Sequence, residues 1–340
     1  MAQSRHFFAG SNTRAGFRGF FDQLRDRAGW CTLIKGGPGV GKSTLMGEVG
    51  KHFEALGHQD SYYHCSGDPE SLDAVYSREA DYMVMDGTAP HVVDPKLPGA
   101  GDGILNLGVC LNEKQLAAQR QQLEEIAQEM TRCYGRAHRY LRGAHAMRED
   151  AAAVYEAALS PKARRSLENE LLSLLPGGPE GEESHLFAQA ITCHGMLQKM
   201  DDALTGTVYC LDVPWGMNVH GLLAPVLEGA RRGRLQRCVY HDPLDGEDVA
   251  HVAAGSAVFT TAVITDAPAF APEMDSHLLH REAPRLAFDR AVYDLTFNQA
   301  VEALAEAKAL HDRLERYYMD AMDYGRLNAI RQEFMEGLPH

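Results

Sequence analysis

Residues 36–43 read Gly36-Gly37-Pro38-Gly39-Val40-Gly41-Lys42-Ser43, after the apolar run 30–35 and before a segment, 42–56, with the texture of a helix. The stretch fills the pattern G-x-x-x-x-G-K-[ST] in full, between strand and helix. The spacing has a chemical reason. Glycines let the backbone wrap closely around phosphate with successive N–H groups pointing inward. The next helix adds the partial positive charge of its N-terminus. Lys42 is placed to reach the β and γ phosphates, and the Ser43 hydroxyl to ligate Mg2+. Gly36, Gly37, Pro38, Gly39, Val40, Gly41, Lys42, Ser43 and Thr44 are the expected contacts of a bound ATP.

Outward from this loop, residues 60–65 and 82–86 read as further strands, so strand and helix alternate and a parallel sheet is expected. A P-loop also needs a carboxylate for the metal at the end of a neighbouring strand, and Asp86 is the natural choice. Gly87 comes next, where many ATPases carry a Glu as base. Either water is positioned from elsewhere, or the phosphoryl group goes to a substrate. Two polar clusters are candidates for that task, one around Asp68 (64–70) and one through His91 and Asp94 (87–96). Both are expected at the carboxyl edge of the sheet, where ligands of open α/β sheets bind. Asp68 and His91 are the candidate catalytic groups beside Lys42 and Asp86. The alternative is local, because Asp68-Pro69 and Asp94-Pro95 also suit turns and helix caps. His64-Cys65 is a weaker metal or nucleophile pair, with no further ligand or base spaced near it.

From 112 to 175 the texture turns helical. Apolar or small residues recur at Leu116, Leu123, Ile126, Met130, Cys133, Ala137, Tyr140, Ala144 and Met147, the stripe of one long helix packed inside the protein. Residues 176–184 are rich in glycine and charge and read as a linker. Beyond the linker the chain repeats its own beginning. Residues 185–195 echo 6–16 at an offset of 179, which also sets Asp22 against Asp201, Cys31 against Cys210, Gly37 against Gly216 and Val40 against Val219. With small shifts Tyr63-His64 matches Tyr240-His241, and Ala89-Pro90 matches Ala267-Pro268. The chain reads as a duplication. At that offset His220 replaces the last loop glycine, Gly221 the lysine and Leu222 the serine; an apolar stretch, 262–264, falls opposite Asp86 with a small shift. The second copy should therefore be degenerate.

Composition bounds the rest. With 33 Lys+Arg against 47 Asp+Glu the net charge is −14, which argues against a surface built to coat nucleic acid or anionic lipid. A hydrophobic content of 45% supplies a core. The seven cysteines form no CxxC pair and suggest reduced thiols. No signal peptide and no membrane-spanning run is read, so a cytoplasmic protein is expected.

At the loop, at His6-Phe-Phe-Ala9 with Gly16, at 64–73 and at 86–96, the chain resembles a bacterial family of tandem P-loop ATPase-like proteins, also described as nucleotide-kinase-like. The likeness covers essentially the whole chain. It implies the fold and ATP binding and names no reaction. The second half of that family often keeps its own P-loop, and this sequence departs there. The expected fold is α/β, a P-loop NTPase-type parallel sheet duplicated in tandem, each copy followed by a helical appendage. The boundaries read as 1–111 (nucleotide-binding), 112–175 (helical), 176–184 (linker), 185–289 (degenerate copy) and 290–340 (helical). The expected activity is ATP hydrolysis with Mg2+ at a single N-terminal site. The alternatives are transfer to a small-molecule acceptor, or an ATP-gated switch with little turnover.

Overall fold

Short runs of β-branched and aromatic residues, punctuated by glycine, make the first hundred residues strand-rich. The computed structural model describes residues 4–89, 91–178 and 180–339. Pro90 and its match to Pro268, Pro179 of the expected linker, and residues 1–3 and 340 lie outside them. The first copy runs β1 (Arg5–Phe8), the hairpin β2 (Gly10–Thr13) and β3 (Gly16–Gly19), α1 (Phe21–Asp26), β4 (Trp30–Lys35), α2 (Lys42–Ala55), β5 (Asp60–His64), β6 (Leu72–Ser77), β7 (Tyr82–Asp86) and β8 (Asp102–Asn106). Its six-stranded sheet has the order β1-β5-β6-β7-β4-β8. The sheet is mixed rather than parallel, because β6 runs antiparallel to both β5 and β7. The connections 65–71 and 78–81 are too short for a crossover, which takes a dozen or more residues, so hairpins form instead.

Helices α3 (Glu113–Ala118), α4 (Arg120–Ala158) and α5 (Pro161–Ser173) come next. The expected helical run 112–175 is thus broken. Ser160 ends it and starts α5, its Oγ accepting the Ala163 N–H at 3.1 Å with Pro161 in the first turn. The second copy comprises β9 (Glu183–Leu186), the hairpin β10 (Gln189–Thr192) and β11 (Gly195–Gln198), α6 (Met200–Ala203), β12 (Thr207–Leu211), α7 (Val219–Arg232), β13 (Arg237–His241), β14 (Val249–Ala254), β15 (Ala257–Thr260) and β16 (Ala269–Phe270). Two residues of the expected linker therefore belong to β9. The second sheet reads β9-β13-β14-β15-β12-β16, the same order and the same pattern of parallel and antiparallel neighbours as the first. The chain is an α/β protein with two copies of one mixed sheet. Then come α8 (Ser276–Asp320) and α9 (Tyr324–Glu336). Helix α8 starts at Ser276, not near 290, because the Asp275 carboxylate accepts the N–H groups of His277 and Leu278 and caps it there.

The offset of 179 holds through the hairpins: Thr13 Oγ1 donates to Gly16 O as Thr192 Oγ1 does to Gly195 O. Beyond them it becomes 177, because α1 has six residues and α6 four. Trp30 therefore matches Thr207, and Cys31 matches Val208 rather than Cys210. The two copies meet across a pseudo-dyad at Phe8 and Phe187, each N–H donating to the other's carbonyl at 3.0 Å.

The helical arms are exchanged. Helices α4 and α8 lie antiparallel, Arg136 pairing with Glu306 and Asp150 with Arg285. Ala137 of the sequence stripe, with Leu141 buried where the stripe had Tyr140, meets Ala300, Ala303 and Leu304 along the seam. The far end of α4 and α5 then cover the second sheet, Tyr155, Leu167 and Leu171 packing with Leu222 and Val226 of α7. Reciprocally, Leu327 and Leu338 of the α9 region join Ile34, Val40 and Leu45 of the first copy. No helix among the described residues is long and apolar enough to cross a membrane.

Two histidine pairs flank the dyad. His64 Nδ1–H donates to Pro69 O at 3.0 Å, so its Nε2 is the bare acceptor of His6 Nδ1–H at 2.9 Å. His241 and His185 repeat the arrangement with Glu247 O at 2.9 Å and a ring contact of 2.8 Å. Protonating either acceptor sets two N–H groups face to face. Burial, mainly, holds His64 and His241 at about 4 against an ordinary 6.5. The unfolded chain binds more protons between those values, so stability is full above pH 6.5 and falls as pH drops toward about 4, by up to about 3 kcal/mol per group. Burial also raises Asp60 to about 6, which works in the opposite direction. Burial lowers His251 to about 4 as well, so thermal melts at pH 7 and pH 5 should diverge for the parent and lie closer together, without coinciding, for the double variant His64→Gln, His241→Gln.

Candidate functional site

The glycine loop leaves β4 and enters α2 through Gly39 at φ 70° and Gly41 at φ 82°, left-handed values that glycine adopts without strain. No side chain caps α2 at Gly41, so its first-turn N–H groups stay available to an anion. Lys42 Nζ bonds the loop's own carbonyls, Gly37 O at 2.9 Å and Gly36 O at 3.3 Å, and lies 3.5 Å from Asp86 Oδ2. Asp86 ends β7, which pairs directly with β4 and sets Ile34 opposite it. Its Oδ1 accepts the Thr88 N–H at 2.8 Å and the Thr88 hydroxyl at 2.6 Å, which fixes the carboxylate with Oδ2 toward Lys42. Ser43 Oγ accepts the Leu72 N–H at 3.0 Å and ties the loop to β6. Val40 is buried in the core beneath the loop, whereas Thr44 is exposed.

The exchanged arm roofs this loop. Glu315 of α8 accepts the Gly39 N–H at 3.1 Å. A Cβ on Gly37 would lie 2.6 Å from the Tyr318 ring, and one on Gly39 would lie 3.1 Å from Met319 Cγ, so the glycines also admit the helix. A carboxylate of α8 thus takes one of the loop's own N–H donors. Sequence reasoning missed Glu315, Tyr318 and Met319, since no spacing within the loop refers to a helix some 270 residues away.

The remaining candidates separate. His91 is buried, and its Nε2 stands 3.1 Å from Asp73 Oδ1. Burial works against the charged imidazole, but Asp73 outweighs it and raises the pKa, with Asp86 adding in the same direction and Lys42 opposing. His91 thus feels the Lys42–Asp86 pair, although its Nε2 is committed to a residue for which sequence reasoning had no role. Asp68 turns away from that pair. It accepts the Ser71 hydroxyl at 3.0 Å and faces Lys308 of α8 at 3.4 Å, the behaviour of a turn residue pinned by the roof. The Asp94 side chain is 82% exposed, with Lys35 at 3.5 Å. A concavity of about 770 Å³ lies at the other end of β4 and β7 under α9 and contains none of these groups.

In the second copy the structural offset of 177 overturns the match made at 179. Lys42 corresponds to Val219, Ser43 to His220, Gly41 to Asn218 and Gly39 to Gly216. Three observations fix this register: Gly216 is left-handed at φ 88° like Gly39, α7 begins at Val219 as α2 begins at Lys42, and His220 Nδ1 accepts the Val249 N–H at 3.0 Å as Ser43 Oγ accepts that of Leu72. Asn218 caps α7 through Gly221 N–H at 2.9 Å, so the helix satisfies its own N-terminus. In β15 the offset drops again to 175, since Ala257 stands beside Thr207 as Tyr82 stands beside Trp30, so Thr261 rather than 262–264 falls opposite Asp86. The second loop has neither the lysine nor the hydroxyl, whichever register is used. Compared with protein-family models, with curated proteins and with solved structures, the chain matches none.

Proposed function

We propose that the first copy is a P-loop unit that binds one ATP with Mg2+ and hydrolyses it, and that the second copy binds none. The observation that carries this reading is the meeting of Lys42 and Asp86, 3.5 Å apart at neighbouring strand ends, in front of an uncapped helix N-terminus. The donor set suits a triphosphate: left-handed glycines, free N–H groups, a lysine and a carboxylate oxygen turned toward it. Lys42 would exchange the Gly36 and Gly37 carbonyls for the β and γ phosphates. The Ser43 hydroxyl and Asp86 Oδ2 would hold the magnesium, which neutralises charge on the transferring phosphoryl group. Gly87 offers no base, so water or a small-molecule acceptor is oriented from the His91 side of the site. The acidic chain and the nucleotide chemistry suit a cytoplasmic protein with no role on nucleic acid. Calorimetry should give one ATP per chain, and Lys42→Ala should remove most of the binding. A stoichiometry of two, or unchanged affinity in the variant, contradicts the proposal.

The Glu315 contact favours a second reading, an ATP-gated switch, because nucleotide has to displace a helix that joins both halves. Glu315→Gln keeps the shape and removes the charge. The Gln oxygen can still accept the Gly39 N–H, so ATP affinity should rise about fivefold, the difference between a charge-assisted and a neutral hydrogen bond. Unchanged affinity in calorimetry would remove Glu315 from the gating argument.

A further inference from the structure

Cys65, Asp73 and His91 converge beside the nucleotide loop from three separate pieces of chain: the connection after β5, the strand β6 and the connection after β7. One ligand atom from each lies within 4.8 Å of the other two. Asp73 and His91 are 3% and 6% exposed. Asp73 Oδ2 and His91 Nδ1 are buried without a hydrogen-bond partner. Buried polar atoms are nearly always satisfied, so two orphans in one cluster ask for a further ligand. We propose that Cys65, Asp73 and His91 form a site for a divalent transition metal, Zn2+ first, distinct from the magnesium position at Ser43 and Asp86.

The donor types set the choice of metal. A thiolate and an imidazole with one carboxylate match borderline-soft Zn2+ and suit Mg2+ poorly, since Mg2+ takes oxygen ligands. Tetrahedral Zn2+ with bonds of about 2.0–2.3 Å spaces its ligand atoms about 3.3–3.8 Å apart. The ligand atoms, all within 4.8 Å of one another, reach that spacing by closing at most about 1.5 Å. Burial, and then the Asp73 charge, hold the Cys65 thiol well above its ordinary range, so without metal it keeps its proton. Binding forms the metal–sulfur bond and releases that proton to solvent. Three protein ligands leave the fourth position for water or a substrate atom, the arrangement of catalytic rather than structural zinc. The position adjoins Lys42 and Asp86, whose charges act on His91. A plain His–Asp pair beside an inert thiol would bind no such ion.

The full chain, metal-free and without nucleotide, is titrated with Co2+ and then with Zn2+. One equivalent of Co2+ should give tetrahedral visible bands and a thiolate-to-cobalt charge-transfer band, both erased by Zn2+. Cys65→Ser should abolish the charge-transfer band and weaken Zn2+ at least about tenfold, and His91→Asn should weaken it similarly. Cys193→Ser, a thiol on the second hairpin, is the control and should change neither. Absence of the charge-transfer band in the parent, or its persistence in Cys65→Ser, overturns the site. Circular dichroism of each variant separates loss of ligand from loss of fold. Because no nucleotide is present, failure of ATP binding would not imitate either result.

Discussion

Replacing Asp86 with Asn should leave ATP bound while Mg2+-dependent turnover falls by about two orders of magnitude or more. The substitution is nearly isosteric, and the Asn carbonyl can still accept from the Thr88 N–H and hydroxyl that hold Asp86 in place. What changes is the oxygen facing Lys42. A neutral amide there neither offsets the magnesium charge nor orients the metal's water shell. The loop N–H groups and Lys42 remain to grip the triphosphate. The comparison to make is ATP affinity with and without Mg2+, alongside phosphate release, in parent and variant. The magnesium-dependent gain in affinity should shrink together with turnover. Release at the parent rate would place the metal carboxylate elsewhere.

Leu327→Ala should be as damaging as any substitution within the loop itself, although Leu327 lies almost the whole chain away from it. Leu327 is 4% exposed, packs in the core of the first sheet and lies 4.0 Å from where a Cβ on Gly41 would stand. Truncating a buried leucine costs about 2–5 kcal/mol, depending on how far the cavity collapses. The loop should lose its support along with the core, so weaker ATP binding is expected in the fraction that stays folded. Leu171→Ala on α5 is the matched control. It is fully buried and should cost a similar amount, but under the second sheet, leaving nucleotide affinity unchanged. Denaturant melts and calorimetry on the two variants test the exchange of arms directly. Equal effects on affinity would contradict it.

Local patterns made the strand at 30–35, the glycine loop, the strand ending at Asp86 and the repeat of His6 at His185 legible, because each rests on neighbouring residues. Strand β6 went unread although Asp73 lies on it, since Leu72-Asp-Ala-Val-Tyr-Ser77 carries an acidic residue inward and breaks the apolar run. That acid is buried against His91, a pairing that only the folded sheet reveals. The repeat was legible, and Tyr63-His64 against Tyr240-His241 already carries the offset of 177, but from β12 through the loop to 222 the register read at 179 is wrong, because two residues are missing from α6 relative to α1 and a constant offset cannot absorb them. His220 illustrates the consequence. Counted at 179 it stands for a glycine, whereas in space it takes the part of Ser43 toward β14. The roof over the loop was illegible for a different reason. Helix α8 reads as an amphipathic rod, and nothing in its periodicity says which sheet its far end covers.

The exchange of arms also sets an order of events during synthesis. Residues 5–106 carry every strand of the first sheet, yet part of its apolar face is covered only by residues between Met322 and Leu338. A growing chain can therefore form that sheet but cannot finish burying it until residues 322–338 have been made. The second sheet has its cover waiting, since α5 precedes it. Completion of the two halves thus runs against their order along the chain: the second half closes first, and the glycine loop of the first is roofed only when α8 and α9 are in place. Such late, long-range closure slows folding and keeps apolar surface exposed while synthesis continues. It also joins the two copies into one unit, in which the second copy's helical arm completes the core beneath the glycine loop of the first.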